Sequence, residues 1–322
     1  MKINNISFKQ KYSNFISLSL VILLTNCGGG NGATEQDTPT NGSIVVASDE
    51  SFQPFMEAEE EVFEHNYSTA KISIAYKPEN EAINMLLNDK ARVAVVTREL
   101  TPKEQIIFTQ EKIKYRSVKV AYDAVALITN KSNKDTGITV QEFGDLMMKK
   151  KTKWSQVGKN GSNEEVVMVF DNSNSSNLIY MMQKYGLKDK SKLPFYAVKG
   201  NKEVIEYVKT HSNALGLIGV NWISDGDDPS AKKFIGDINV LSVADKSTVN
   251  DAYYQPFGYN ILYKWYPFRR DVYVLLKEPW MGLGSGFMNY IATDQGQLVI
   301  LKAGLIPATR PVYIQNVKTG GS

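Results

Sequence analysis

The chain has 322 residues, of which 43% are hydrophobic, with 37 Lys and Arg against 34 Asp and Glu. The first 26 residues hold three lysines and no acid, so the rest of the chain carries 34 residues of each sign, a balance that argues against a nucleic-acid partner. A single cysteine excludes a disulfide framework, and the length suffices for one large or two smaller hydrophobic cores.

The N-terminus has the parts of a bacterial export signal. Lysines at positions 2, 9 and 11 precede the apolar run 15–24, which is too short to span a bilayer, since a span takes about 20 residues. The sequence Leu-Thr-Asn-Cys that ends at Cys27 resembles the bacterial lipoprotein box, with Asn26 at a position that usually holds a small residue. We predict a signal peptide over 1–26 and lipid attachment at Cys27; the alternative is a buried free cysteine behind an uncleaved anchor.

Residues 27–42 are rich in Gly, Asn and Thr, which predicts a flexible tether. No second long apolar run follows. We therefore expect a protein of the cell envelope that is lipid-anchored to a membrane and faces the periplasm or the exterior.

From residue 43, short apolar strands alternate with segments of helical period, which predicts an α/β fold. The first part predicts strands at 44–47, 71–76 and 93–96, helices after the first two, a capping box at Thr101 and Glu104, and a long strand at 115–129. The acidic run of Glu57, Glu59, Glu60 and Glu61 predicts a solvated helix face.

The pattern then starts again. It predicts helices at 139–149, 178–185, 204–209 and 285–303, strands at 166–170, 214–220, 259–263 and 272–277, and a polar surface excursion at 221–249.

Several predicted strands end in corners rich in hydroxyl, amide and acidic side chains. These corners are 49–51, 79–80, Thr97 and 172–177. In α/β folds ligands bind at the carboxyl ends of the strands, and helix N-termini there offer free backbone N–H groups to an anion. Plain helix capping explains any one corner, but together they favour a ligand held by many neutral donors.

Three segments carry a family resemblance: VAVVTREL at 93–100, ITVQEFGDLMMKKKTKWSQVG at 138–158 and ALGLIGVNWI at 214–223. In order and spacing the chain resembles the phosphate-binding subunit of the bacterial high-affinity phosphate ABC importer, a type II periplasmic solute-binding protein. The resemblance implies two α/β lobes, 43–125 plus 253–322 and 126–252, with a ligand cleft between them. It also implies an ABC permease as partner, inorganic phosphate or a related oxyanion as ligand, a monomer and no cofactor.

The resemblance also carries over site residues. It implies that the ligand contacts Ser51, Phe52, Glu79, Asn80, Thr97, Arg98, Asn174, Ser175, Ser176 and Asn177. Phe170 stands where the family commonly has an arginine, and Asn177 where some members have another. Arg98 is then the candidate for charge pairing with the anion. The negative charge of Glu79 is compatible with an anion only if this residue accepts a hydrogen bond from a protonated oxygen of the ligand or points away from it.

Two other classes of function are open at this point. An enzyme has little support, because the chain has no zinc-type His/Cys cluster, no Gly-x-Ser-x-Gly elbow and no Walker-type loop, and His65 and His211 have no partnered spacing. The alternative is a binding-protein-like lipoprotein that has lost phosphate binding and serves another ligand or a protein partner. Its contact surface would be the aromatic cluster Tyr253, Tyr254, Phe257, Tyr259, Tyr263, Trp265, Tyr266 and Phe268.

Overall fold

A computed structural model describes residues 36–158, 161–247 and 252–311. The predicted signal peptide, Cys27 and most of the predicted tether lie outside these residues. No helix in the described ranges is long and apolar enough to span a membrane.

The described elements alternate as the sequence predicts. The strands are β1 Gly42–Asp49, β2 Ala70–Lys77, β3 Val93–Val96, β4 Arg116–Asn130, β5 Gly137–Thr139, β6 Val167–Phe170, β7 Phe195–Ala197, β8 Ala214–Gly219, β9 Ile238–Val240, β10 Ser242–Ala244, β11 Arg269–Leu276 and β12 Ile306–Pro307. The helices are α1 Gln53–Asn66, α2 Glu79–Leu87, α3 Pro102–Gln110, α4 Val140–Met147, α5 Ser176–Lys184, α6 Asn201–Thr210, α7 Asn221–Ser224, α8 Pro229–Asp237, α9 Tyr259–Leu262, α10 Leu283–Ala292 and α11 Asp294–Lys302.

The main sheet has two halves that share one strand. Its order is β2-β1-β3-β11-β4-β8-β6-β7. The N-terminal part of β4 pairs antiparallel with β11, and its C-terminal part pairs antiparallel with β8. We call the side with β1, β2 and β3 the first half and the side with β6, β7 and β8 the second half. The 15-residue β4 therefore carries the chain from one half to the other, as its long apolar sequence predicts; the lobe boundaries themselves stay predictions.

Buried side chains cover both faces of this sheet. On one side of the first half, Phe55, Met56 and Phe63 of α1 are fully buried against the core.

The prediction of a solvated acidic face on α1 is wrong for Glu59, because this residue is also fully buried. Burial raises the pKa of Glu59 well above its usual range. The helical spacing places Glu59 between Met56 and Phe63, on the core face of α1.

The predicted surface excursion at 221–249 is wrong as a description of this segment. The chain forms α7, α8, β9 and β10 within it. Helix α8 begins at Pro229 because Asp228 caps it, accepting hydrogen bonds from the amides of Ser230 at 3.0 Å and Ala231 at 3.2 Å. The run of acids and proline that suggested a loop is thus the start signal of a helix.

Two further predictions are corrected near the C-terminus. The predicted strand at 259–263 is instead the short helix α9 (Tyr259–Leu262), because Gly258 turns the chain at φ +48° and its carbonyl accepts from the amide of Leu262 at 3.1 Å. The single closing helix at 285–303 is two helices, α10 and α11. They separate at Thr293, which is extended (φ −84°, ψ 174°) and whose hydroxyl donates to the carbonyl of Tyr290.

Candidate anion-binding site

Two strand-to-helix corners meet, one from each half of the sheet. Ser51 lies in a short turn between β1 and α1, and Ser176 is the first residue of α5. The side chain of Ser175 caps α5 by accepting from the amide of Leu178 at 3.1 Å. The hydroxyl oxygens of Ser51 and Ser176 lie 3.3 Å apart, and both residues are buried. The structure therefore brings the first and the last predicted corners into direct contact.

A buried arginine lies against both hydroxyls. Arg270 of β11 donates to the hydroxyl oxygens of Ser51 and Ser176 at 2.9 Å each, and to the Asp123 carboxylate at 2.6 Å. Asp123 is the residue directly opposite Arg270 on β4. The guanidinium carbon lies 5.2 Å from the centre of the Phe52 ring. We call Ser51, Ser176 and Arg270 the hydroxyl cluster.

Arg270 remains charged in this buried position. Burial lowers its pKa, but the carboxylates of Asp123 and Asp49 outweigh this effect and raise it above the ordinary value.

Arg270 is not among the site residues predicted from the sequence. The available signal was a charged pair, Asp123 and Arg270, inside two strands that are otherwise largely apolar.

The corner after β3 is tied to the start of α2. Glu79 is buried and accepts from the amide of Thr97 at 2.7 Å and from the Thr97 hydroxyl. Arg98 pairs with both oxygens of Glu104, at 2.8 and 2.9 Å, and its Nε lies 3.7 Å from Glu79. Asn80 is exposed and accepts from Arg98 at 3.4 Å. The positive charge of Arg98 is thus already partly neutralised by carboxylates.

A second polar network lies under the α5 corner. Asn177 donates to Asp171 at 3.1 Å, and Asn201 donates to Glu50 at 2.5 Å and to Asp171 at 3.4 Å. The backbone amide of Asn201 also donates to Glu50, at 3.1 Å. These contacts join the turn after β1 to α6 and therefore link the two halves a second time.

Burial and mutual repulsion raise the pKa of several of these acids. Burial, followed by the charge of Asp171, raises the pKa of Glu50 to about 8. Burial, followed by the charge of Asp49, raises the pKa of Asp171 to about 6, and the same two causes raise that of Glu79. Such a site is sensitive to any added negative charge.

The remaining predicted residues lie apart from this cluster. Asn174 is exposed, and its side-chain oxygen accepts from Lys190. Phe170, in the place of the family's arginine, is fully buried and packs edge-on against Phe195 with a centroid separation of 5.7 Å. The second half therefore contributes no guanidinium at that position.

A cavity of about 410 Å³ opens beside the site. Its lining residues are Glu79, Thr97, Arg98, Glu99, Ile179, Tyr180, Gln183, Arg269, Arg270, Asp271 and Tyr273. It thus places Glu79, Thr97 and Arg98 of the first half opposite residues 179–183 of α5 and 269–273 of β11.

The aromatic cluster proposed as an alternative surface is divided between surface and core. Tyr266 and Phe268 are buried, whereas the exposed fractions of Tyr259, Tyr263 and Trp265 are 46%, 54% and 47%. His65 lies in the last turn of α1. His211 stacks on the Tyr207 ring at 3.8 Å.

Comparison with known proteins assigns this architecture to a family. A PBP superfamily domain model matches residues 33–295. The chain belongs to the PBP superfamily. The α/β fold with two lobes and a cleft between them, predicted from the sequence, is confirmed for this PBP chain.

Several similar proteins are named for phosphate binding or phosphate transport. The phosphate-binding protein PstS of Staphylococcus epidermidis is 21% identical over 301 residues, which cover 92% of this chain and 88% of that protein. A substrate-binding protein assigned to phosphate ABC transport in Clostridium perfringens, solved with bound phosphate, is 23% identical with a TM-score of 0.69 and covers 83% of this chain and 100% of its own. An ABC-type phosphate transport receptor of Vibrio cholerae is 17% identical with a TM-score of 0.60 and covers 82% and 99%.

Proposed function

We propose that this PBP chain is an extracytoplasmic solute-binding lipoprotein that captures inorganic phosphate, or a related oxyanion, and delivers it to an ABC importer. The observation that supports this proposal is the hydroxyl cluster. Hydroxyls from both halves and a buried guanidinium converge on one point, and these are the donors by which proteins hold phosphate oxygens. The names of the relatives agree with this ligand.

Binding would join the two halves. The proposed contacts come from Ser51, Phe52, Thr97 and Arg98 on one side and from the start of α5 on the other. Hinge closure over the ligand would remove it from water, and the closed form would dock on a membrane permease. In this proposal the protein acts as a monomer held to the membrane through lipid on Cys27.

The acids next to the cluster restrict the form of the ligand. Glu79 is buried, and burial together with the charge of Asp49 raises its pKa, so further negative charge beside this carboxylate is unfavourable. A fully deprotonated oxyanion would repel it, whereas a ligand that carries a proton can donate a hydrogen bond to it. This difference favours hydrogen phosphate over sulfate.

Calorimetric titration of the full chain in mild detergent with phosphate, and with sulfate as the control, tests the proposal. We expect phosphate to bind at micromolar concentration or tighter and sulfate to give no heat. If neither anion gives heat or thermal stabilisation, the proposed ligand is wrong. Mass spectrometry of the membrane-extracted protein tests the lipid separately, because cleavage and acylation at Cys27 change the mass of the N-terminal peptide.

A further inference from the structure

One carboxylate oxygen accepts all the hydrogen bonds that the two hydroxyls can donate. Oδ1 of Asp49 accepts from the backbone amide of Ser51 at 3.0 Å, from the Ser176 hydroxyl at 2.8 Å and from the Ser51 hydroxyl. Asp49 is the last residue of β1, and its exposed fraction is 2%. An amide and two hydroxyls, drawn from both halves, thus converge on a negatively charged oxygen of the protein itself.

The arrangement of protons leaves neither hydroxyl of the hydroxyl cluster free to donate to a second acceptor. A serine hydroxyl has one proton. Arg270 donates to the oxygen of each hydroxyl, so each proton must point elsewhere, and it points to Asp49. An oxyanion that binds Ser51 and Ser176 must therefore displace the carboxylate.

The surrounding charges make simultaneous occupation unfavourable. Asp49 is near enough to raise the pKa values of Glu79, Asp171 and Glu50. Within the described residues, Arg270 is the one basic side chain that hydrogen-bonds to the hydroxyls of Ser51 and Ser176, and it already pairs with Asp123 at 2.6 Å. Adding an anion beside Asp49 would place further like charge in a buried site.

We propose that Asp49 is a tethered competitor for the oxyanion position in the hydroxyl cluster, and that it sets the affinity and selectivity of the site. The proposal rests on the function proposed above. It predicts that the measured binding free energy of phosphate is a net value: the free energy of the contacts that phosphate makes, less the free energy of the contacts with Asp49 that it displaces. Removing the carboxylate should make the same donors available to a free anion.

The test compares phosphate titrations of the full chain and of two variants at this position, at one pH and one salt concentration. Asp49→Ser shortens the side chain and removes its charge, whereas Asp49→Asn removes the charge and keeps the volume. We expect Asp49→Ser to bind phosphate at least about tenfold more tightly than the unmodified chain, since a charge-assisted hydrogen bond is worth about that factor or more. Asp49→Asn should lie between the two, because its amide still fills the position.

Asp171→Asn is the matched control. It removes a buried negative charge from the same site but leaves Asp49 on the two hydroxyls. Its gain in phosphate affinity should be smaller than that of Asp49→Ser. An equal gain would mean that the total negative charge of the site limits binding, rather than the hydrogen bonds of Asp49 to the two hydroxyls, and would overturn the proposal. Far-UV circular dichroism and thermal unfolding of each variant show whether it has folded.

The outcomes separate this inference from the proposed function. If the unmodified chain binds phosphate and both Asp49 variants bind it equally or more weakly, Asp49 belongs to the binding site and the inference fails while the function stands. If the unmodified chain gives no signal and Asp49→Ser binds, the inference stands and the function of the natural chain must be revised. If folded Asp49→Ser and Asp49→Asn bind no anion at all, the inference is wrong.

Discussion

The buried pair of Arg270 and Asp123 gives a quantitative test of how the site is held together. Arg270→Met keeps much of the side chain's volume but removes three hydrogen bonds and the positive charge. Asp123, which has no exposed surface and one carboxylate oxygen without a partner, would then be a stranded buried charge. Breaking a buried pair in this way costs about 3–5 kcal/mol of unfolding free energy.

The double variant decides whether the cost arises from the pair. Asp123→Asn with Arg270→Met leaves two neutral groups opposite each other on β4 and β11, so the stranded charge disappears. We expect the double variant to be less destabilised than Arg270→Met alone, by about 1–3 kcal/mol. The coupling between the two positions should be well above the scatter of about 0.5 kcal/mol that independent sites show.

Urea unfolding followed by tryptophan fluorescence and circular dichroism measures these differences. Phosphate must be absent from the buffer, because a ligand that binds the folded state adds its own stabilisation. The reasoning is refuted if Arg270→Met costs less than about 1 kcal/mol, or if the double variant costs the sum of the two single variants. Either result would mean that the pair is neither buried nor coupled as the structure has it.

The other predictions concern pH, ligand affinity and packing. The pKa of Glu50 in the folded protein, about 8, lies above its ordinary value of 4.5, so its stabilising contribution is present at acid pH and is lost as the pH rises toward 8. In urea unfolding, the unfolding free energy of Glu50→Gln should therefore fall less over this pH range than that of the unmodified chain. The exposed control Glu57→Gln should show the same fall as the unmodified chain. Arg98→Ala should weaken phosphate binding about tenfold or more in calorimetry and leave the fold intact, because this guanidinium lines the cavity and is partly exposed; unchanged affinity would remove its role in charge pairing. Gly286→Ala should lower the unfolding free energy by about 1–3 kcal/mol, because a Cβ there would lie 1.8 Å from the backbone oxygen of Pro39. The control Gly236→Ala should be neutral or stabilising in the same urea unfolding, because a Cβ added there has no atom within 4 Å.

Local features of the fold could be predicted because the sequence carries their signals within a few residues. The capping box of α3 is an example: Thr101 accepts from the amide of Glu104, and the Glu104 carboxylate accepts from the amide of Thr101. The long strand β4 is another, since its apolar β-rich run covers both halves of the sheet. The error at Glu59 shows the limit of the same method, because a run of acids hides which member falls on the buried face of the helix.

The centre of the site could not be predicted in the same way. Arg270 and Asp123 are 147 residues apart in sequence, and they meet because β11 and β4 pair in a particular register. That register depends on the topology of the whole sheet, which hydrophobic periodicity does not specify. The family resemblance directed attention to the position of Phe170, so it predicted where the arginine is absent but not the strand that supplies one.

Asp49 shows why finding hydroxyl-rich corners is not equivalent to finding a vacant site. Its carboxylate has two oxygens, and one of them already accepts three hydrogen bonds from Ser51 and Ser176. Phosphate has four oxygens, and when protonated it can also donate to an acid such as Glu79. A ligand therefore displaces Asp49 only by making contacts that a carboxylate cannot make. If this exchange operates, selectivity for a protonated, tetrahedral anion follows from competition inside the site, because a planar carboxylate ligand would gain nothing over the one already there.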